Sequence, residues 1–493
     1  MGVASTSCMA EKYHGGRATF AAMPLGERRT RDGWWNTDRA TDLFCWGALA
    51  FMAWFAVHFA AERILNDASY FLLCMVDRGG FFVNQGRWIM PLSQWSAVIG
   101  IKAGMSMTTV ITLYSLGSVM VVTCAYLFVR YALKDRQAGL VVIGTQLVGV
   151  GHAVFCPVFE FYYAAPLLVA CLALLKSTRL APLPRTVIFA VLLFLVLSAH
   201  FLAMIVTVMA VAAAGIHRER RIALVALAVL AMHTIIRVNV LSAYELRAIS
   251  SLWIRLEGLG WAWLFRPGRL IGHLEHAVSV YPDVIFLSVL FATALVKARR
   301  WYPLVVLVGG LFVLYVLQSF YFPDGTHSVY REFVDFPFAV WVVIVPWALW
   351  PQELVGAARW RRVLCIALAF RCLLWIVLSP TYVDRVDWMR DRIAAAHDQG
   401  IRRGLVAKLP TFIAHCWGRV EVAPLNAMEV MLFSAEQGPQ HTVALVPMHD
   451  PSMDRHTFEM EFEEKLRAEN VPLIWNSPSP YFDLPPEPFR VLR

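Results

Sequence analysis

Charge is scarce in this chain. Asp, Glu, Lys and Arg make up 16% of its 493 residues, against roughly 25% in ordinary globular domains. Apolar residues reach 58%, above the usual range of roughly 45–50%. A soluble enzyme, a disordered scaffold and a collagen-like repeat are thereby excluded. Cysteine is sparse too: there are nine, with no C-x-x-C pair among them. Cys45, Cys124, Cys156, Cys171, Cys365 and Cys372 lie in or beside apolar blocks, so neither a disulfide framework nor a zinc ribbon or thioredoxin-like site is expected.

What the chain has instead is apolar blocks separated by charged linkers, the pattern of membrane spans. Residues 1–40 form a basic segment with Lys12, Arg17, Arg28, Arg29, Arg31 and Arg39. The block at 41–61 is long enough to span and has no cleavage pattern, so it reads as a retained first helix. Further blocks lie at 108–129, 138–157, 164–175, 186–198, 200–216, 222–242, 283–296, 302–320, 337–350 and 363–379. The 186–216 stretch reads either as one long helix or as two turning at Ser198-Ala199-His200.

The distribution of Lys and Arg orients these blocks. Basic linkers occur at Arg130/Lys134/Arg136, Lys176/Arg179/Arg185, Arg218/Arg220/Arg221, Lys297/Arg299/Arg300 and Arg359/Arg361/Arg362. Both linkers flanking 186–216 are basic, which requires two crossings between them. About eleven transmembrane helices result, in a bundle over 41–379, with the N-terminus cytoplasmic and residues 380–493 outside. Most of the net charge of +9 is thus an orientation signal, and no nucleic-acid partner is expected.

The polar residues gather in outer loops at 62–107, 244–283 and 318–336, and in the tail. In the first loop, Ser69–Val76 and Trp88–Ile101 suit two interfacial helices joined by a Gly-rich turn. Asn66-Asp67 precedes them, and Asp67 either faces a polar cavity or caps the following helix. In the tail, helix-like runs (Asp384–His397, Phe458–Glu469) alternate with strand-like ones (Leu405–Leu409, Thr442–Pro447), as in a small α/β domain.

This layout resembles the C-type (GT-C) glycosyltransferase superfamily of polytopic membrane enzymes. The likeness covers nearly the whole chain as architecture: a first helix, an outer loop with an acid and two interfacial helices, a bundle of spans and an outer C-terminal domain. As sequence it is carried by Asn66-Asp67-Ala68-Ser69-Tyr70, Arg87 and Pro91. Many relatives carry paired acids where this chain has Asn66 before a single Asp67, which leaves metal dependence open; no metal ligands are assigned and a divalent cation is not indicated. The resemblance implies transfer of a sugar from a polyprenyl-phosphate donor to a glycan, lipid or protein acceptor on the outer face, in the inner (plasma) membrane of a bacterium.

Such a reaction needs a carboxylate within reach of the acceptor hydroxyl and a cation on the departing phosphate. Asp67 is assigned as the base, with Asp77 as the alternative. For the phosphate, Arg331 comes first, followed by Arg87 and His327, since a guanidinium fork matches phosphate oxygens. Arg331 has another reading, an ion pair with Glu332 or Asp335. Arg247 and Arg255 rank behind these. Glu160 and Tyr163 are assigned to the acceptor, although Glu160 would also serve to hold its hairpin through a tyrosine. His152 and His200 read as packed, hydrogen-bonded histidines. His233 and Arg237 either line a cavity or pair with Glu245. Rival functions are a lipid-linked glycan transporter or flippase, and a non-catalytic assembly subunit.

Overall fold

The computed structural model describes residues 38–84, 86–216, 219–240, 246, 250, 253–255, 257–321, 329–349, 358–415, 419–447, 480–485, 487 and 489–492. The side chains of 38, 160, 321, 329, 330, 358–360, 415 and 419 are outside that description. His327, Arg247, Glu245 and the tail segment 458–469 also fall outside it.

The chain is mainly helical. Helix α1 (Asp38–His58) leads through a short 3-10 turn (Glu62–Ile64) to α2 (Asp67–Arg78) and α3 (Pro91–Lys102). These two helices fall where interfacial helices are expected. Gly79, at φ 61°, ends α2 by donating its N–H to the Met75 and Val76 carbonyls, a conformation that glycine adopts without a Cβ clash. Helix α4 (Met107–Leu127) begins at Ser106, whose side chain accepts the Thr109 N–H. It packs closely on α3: a Cβ at Gly117 would lie 1.7 Å from the Ser93 carbonyl oxygen.

The following helices are α5 (Arg136–Leu147), α6 (Glu160–Lys176), α7 (Pro182–Leu197), α8 (Phe201–Ala213) and α9 (Arg220–Asn239). After them come α10 (Pro267–Val280), α11 (Pro282–Lys297), α12 (Trp301–Tyr321), α13 (Val329–Leu349) and α14 (Ala358–Asp398). Each of the eleven expected blocks contains a helix, and the 186–216 stretch is two, broken at Ser198-Ala199-His200. Among the described residues six helices, α1, α4, α9, α12, α13 and α14, are long and apolar enough to cross a membrane; the number rises to seven if α10 and α11, bent by 104°, count as one. Helices α6, α7 and α8 are shorter apolar helices.

Helix α5 has 12 residues, or about 18 Å of helix, which is well short of the roughly 30 Å hydrocarbon layer. The chain after it, 148–156, is irregular and buried. Backbone groups in such a place must find partners within the protein, and side chains supply them. Glu332 accepts the N–H groups of Gly151 (2.6 Å) and His152 (2.7 Å), and Asp283 accepts that of Gly149 (3.0 Å). The Trp375 indole N–H donates to the Val150 carbonyl at 2.9 Å. Arg371, buried within α14, forms a two-pronged pair with Asp283, so the acid that holds the loop is itself neutralised.

Helix α14 has 41 residues, about 60 Å and so twice the thickness of the layer. Pro380 sits inside it. The sequence division at 380 is therefore not a break in the chain's path. The far end of α14 carries a small mixed module of β1 (Arg403–Val406), β2 (Phe412–His415), β3 (Arg419–Val422), α15 (Ala427–Ser434), β4 (Ala444–Pro447) and β5 (Arg490–Leu492). Strand β1 lies between β4 and β5, parallel to both, while β2 and β3 form an antiparallel pair. The expected strands near 405 and 444 are present within this arrangement.

Candidate functional site

Asp67 is the first residue of α2 and is half-buried. It is not the helix cap: that position belongs to Asn66, whose side chain makes no capping bond. Asn66 has φ 50° and ψ −111°, a conformation costly for a residue with a side chain. It is held by its backbone N–H, which donates to Glu429 Oε1 at 2.9 Å. Glu429, in α15, also takes Arg385 from α14 through both oxygens, at 2.7 and 3.0 Å. Both side chains are buried. The C-terminal module thus fixes the peptide from which Asp67 projects.

The other end of this turn is tied to the bundle. The Leu65 N–H donates to the Phe155 carbonyl at 3.3 Å. The buried Arg63 guanidinium bonds Ser115 Oγ at 2.8 Å and Ser118 Oγ at 3.2 Å, on α4. Asp67 lies close enough to Cys156 and Tyr114 for its charge to be felt by both. Its carboxylate therefore stands beside the 148–156 loop, which Glu332 clamps from α13.

Arg331 precedes Glu332 and is buried. Its Nε lies 3.6 Å from Asp335 Oδ2, so the ion-pair alternative is realised. Asp335 is shared, because His276 Nε2 lies 3.0 Å from the same oxygen. Helix α10 carries Arg269, His273 and His276, spaced to fall along one face, and that face turns inward. Arg269 donates to the Ser319 carbonyl at 2.6 Å and covers the Trp263 ring at 3.6 Å, while His273 Nε2 lies 3.3 Å from Ser319 Oγ. Leu270, Ile271, Leu274 and Val278 on the other side are exposed, as expected of a helix lying in the membrane interface with its polar face toward protein. Asp335 thus takes both Arg331 and His276, with His273 and Arg269 farther along the same face of α10.

Arg87 belongs to a second cationic group. His200 feels the charges of both Arg87 and Arg237, and its Nδ1 accepts the Leu202 N–H at 3.3 Å. The His200 ring lies 5.5 Å from Phe159, which stacks on Phe333 at 4.7 Å. Phe333 is two residues from Arg331, so the two cationic groups flank one aromatic pair. Arg255 donates to the Phe320 carbonyl at 3.2 Å. His152 is packed as expected, with Nδ1 2.9 Å from the Tyr382 hydroxyl. His233 is buried against Phe194.

Asp77 occupies a different place. Ten residues along α2 from Asp67, it is about 15 Å away by helix rise, so the two acids do not share a centre. It lines a cleft of about 560 Å³ with Arg78, Lys102, Glu436 and Tyr481. Burial raises the carboxyl pKa of Asp77 against the pull of Arg78, and burial likewise raises that of Glu436 despite Arg390 at 3.3 Å. Glu160 opens α6. Tyr163 is 1% exposed, within the packed interior.

Sequence reasoning missed Glu429, Arg385 and the inward face of α10. The signals were thin: an arginine five residues beyond Pro380, and a helix whose apolar positions face outward. Among the described residues no group of three His, Cys, Asp or Glu is placed to hold a metal ion. No protein family, curated protein or solved structure matches the chain.

Proposed function

We propose that this protein is a membrane glycosyltransferase that moves a sugar from a polyprenyl-phosphate donor to an acceptor on the outer face of the membrane. The observation that carries the reading is Asp67: a half-buried carboxylate opening an interfacial helix, on a peptide held in an unfavourable conformation by Glu429. Strain maintained by surrounding contacts is characteristic of functional positions. In the proposed reaction Asp67 takes the proton of the acceptor hydroxyl as that oxygen attacks the anomeric carbon, and the polyprenyl phosphate leaves with the bonding electron pair. The phosphate leaves without a general acid, unlike the leaving group of the paired-carboxylate glycosidases.

Charge accumulates on the departing phosphate and needs fixed cations. Arg331 and Arg269, and Arg87 with Arg237, are the groups available. The eleven-crossing arrangement, with both cationic groups and the C-terminal module on the outer side, belongs to this proposal. An Arg331→Ala variant is expected to bind undecaprenyl phosphate at least roughly tenfold more weakly than the parent, the loss of a charge-assisted bond of about 1.5–3 kcal/mol. Equal affinity by titration in detergent would remove Arg331 from the donor site.

A further inference from the structure

At the pole of the bundle that carries the basic linkers lies a pocket of about 480 Å³. Its lining includes Lys134, Arg136, Lys176, Arg179 and Arg361, with Asp135 the single acid. These cations come from the α4–α5 and α6–α7 connections with the helix ends beside them and, for Arg361, from the start of α14. An orientation signal requires only that basic residues remain on one side. Lys134, Lys176 and Arg179 are exposed, as are Arg220, Arg221, Lys297, Arg299 and Arg300; what sets the first group apart is that it lines one hollow together with Arg136 and Arg361.

The acid in the pocket is already engaged. Asp135 Oδ1 accepts the Ala138 N–H at 2.8 Å and caps α5. Arg136 reaches Asp42 at 3.2 Å, but Asp42 is held more closely by Arg130, through both oxygens at 2.7 Å. Lys176 is positioned by Trp347: its Nζ donates to the Trp347 carbonyl at 3.1 Å and stands 4.2 Å from the ring centre. Lys134 is held in a left-handed conformation, φ 59°, just after the π-turn Phe128–Ala132. Five cations therefore line the cavity against one carboxylate, Asp135, whose charge is felt by Lys176.

We infer that this pocket is a binding site for a phosphate-bearing anion, separate from the proposed transfer site. The shared chemistry is a compact, multiply accepting oxyanion, whether the headgroup of an anionic lipid or a small soluble phosphate. Basic pockets between helices are known to take lipid headgroups in this way, and fixed positive potential in a recess concentrates anions.

The test uses the full chain and two probes. In one arm, protein from phosphatidylcholine vesicles with or without phosphatidylglycerol is examined by native mass spectrometry for retained lipid. In the other, inorganic pyrophosphate is titrated into the detergent-purified protein. Arg179→Gln/Arg361→Gln is compared with Arg220→Gln/Arg221→Gln, which removes the same charge from an exposed linker. Phosphatidylglycerol retained by the parent and the exposed-linker variant, but held roughly 30-fold more weakly by the pocket variant, assigns a lipid headgroup. Pyrophosphate binding lost only in the pocket variant assigns a soluble anion. If neither probe binds, or if both variants lose binding equally, the inference is overturned. Should the double variant not fold, Arg179→Gln alone, at an exposed position, is read in the same way.

Discussion

Glu429 reaches across 363 residues of sequence to hold the peptide of Asn66, while its other contacts bind Arg385. Two buried charges in contact are costly to bring out of water together, and costlier to separate. Removing one partner of such a pair leaves the other desolvated, typically at about 3–5 kcal/mol. Glu429→Ala is therefore expected to lower thermal stability by that order and to increase proteolysis near residues 62–70. Replacing both partners, as in Arg385→Met/Glu429→Leu, should recover much of the stability while leaving Asn66 untied. If Glu429→Ala melts with the parent, the coupling of the module to the Asp67 turn is wrong. None of this was legible in the sequence, because hydropathy registers a glutamate in the tail as merely polar, whatever it will pair with.

At the scale of elements, the sequence reading succeeded where composition and hydrogen bonding agree. The helices of the 62–107 segment, the break at Ser198-Ala199-His200 and the strands near 405 and 444 were all marked by local pattern. It failed where partners from elsewhere decide the outcome. The block at 138–157 carries no Asp, Glu, Lys or Arg, yet α5 stops at Leu147 because Glu332 and Asp283 satisfy the backbone that follows. Pro380 looked like an end and is passed within a helix; in membrane helices, neighbouring groups can satisfy the backbone a proline releases. Tight element packing offers a direct test at Gly117, where an added Cβ would meet the Ser93 carbonyl oxygen at 1.7 Å. Backbone cannot yield as a side-chain tip does, so Gly117→Ala should separate α3 from α4 and cost at least about 1–3 kcal/mol. Unchanged melting of the purified variant would show that this approach is looser than described.

Across the whole molecule, the arrangement is a helical bundle with a polar assembly toward one pole and basic linkers at the other. On the proposed topology the chain's charges do two jobs: Lys and Arg on short linkers set orientation, and buried Arg–acid pairs hold irregular backbone in place. The first is an expectation from spacing alone. The second required coordinates, since Arg371 and Asp283 are far apart in sequence and each sits beside apolar residues. With the N-terminus inside, the module beyond α14 should lie outside. A reporter fused after Asp398 is expected to be active only in the outer compartment. A cytoplasmic signal would invert the bundle and place Asp67 on the wrong face for lipid-linked sugar transfer.

The account turns on Asp67 acting as the base. The most direct measurement incubates purified protein with membrane lipids extracted from its own cells and follows release of free polyprenyl phosphate by mass spectrometry. The parent should release it, while Asp67→Asn, which keeps the size of the side chain but cannot take up the proton, should release it at least about 100-fold more slowly. Release by Asp67→Asn at the parent's rate would contradict the account.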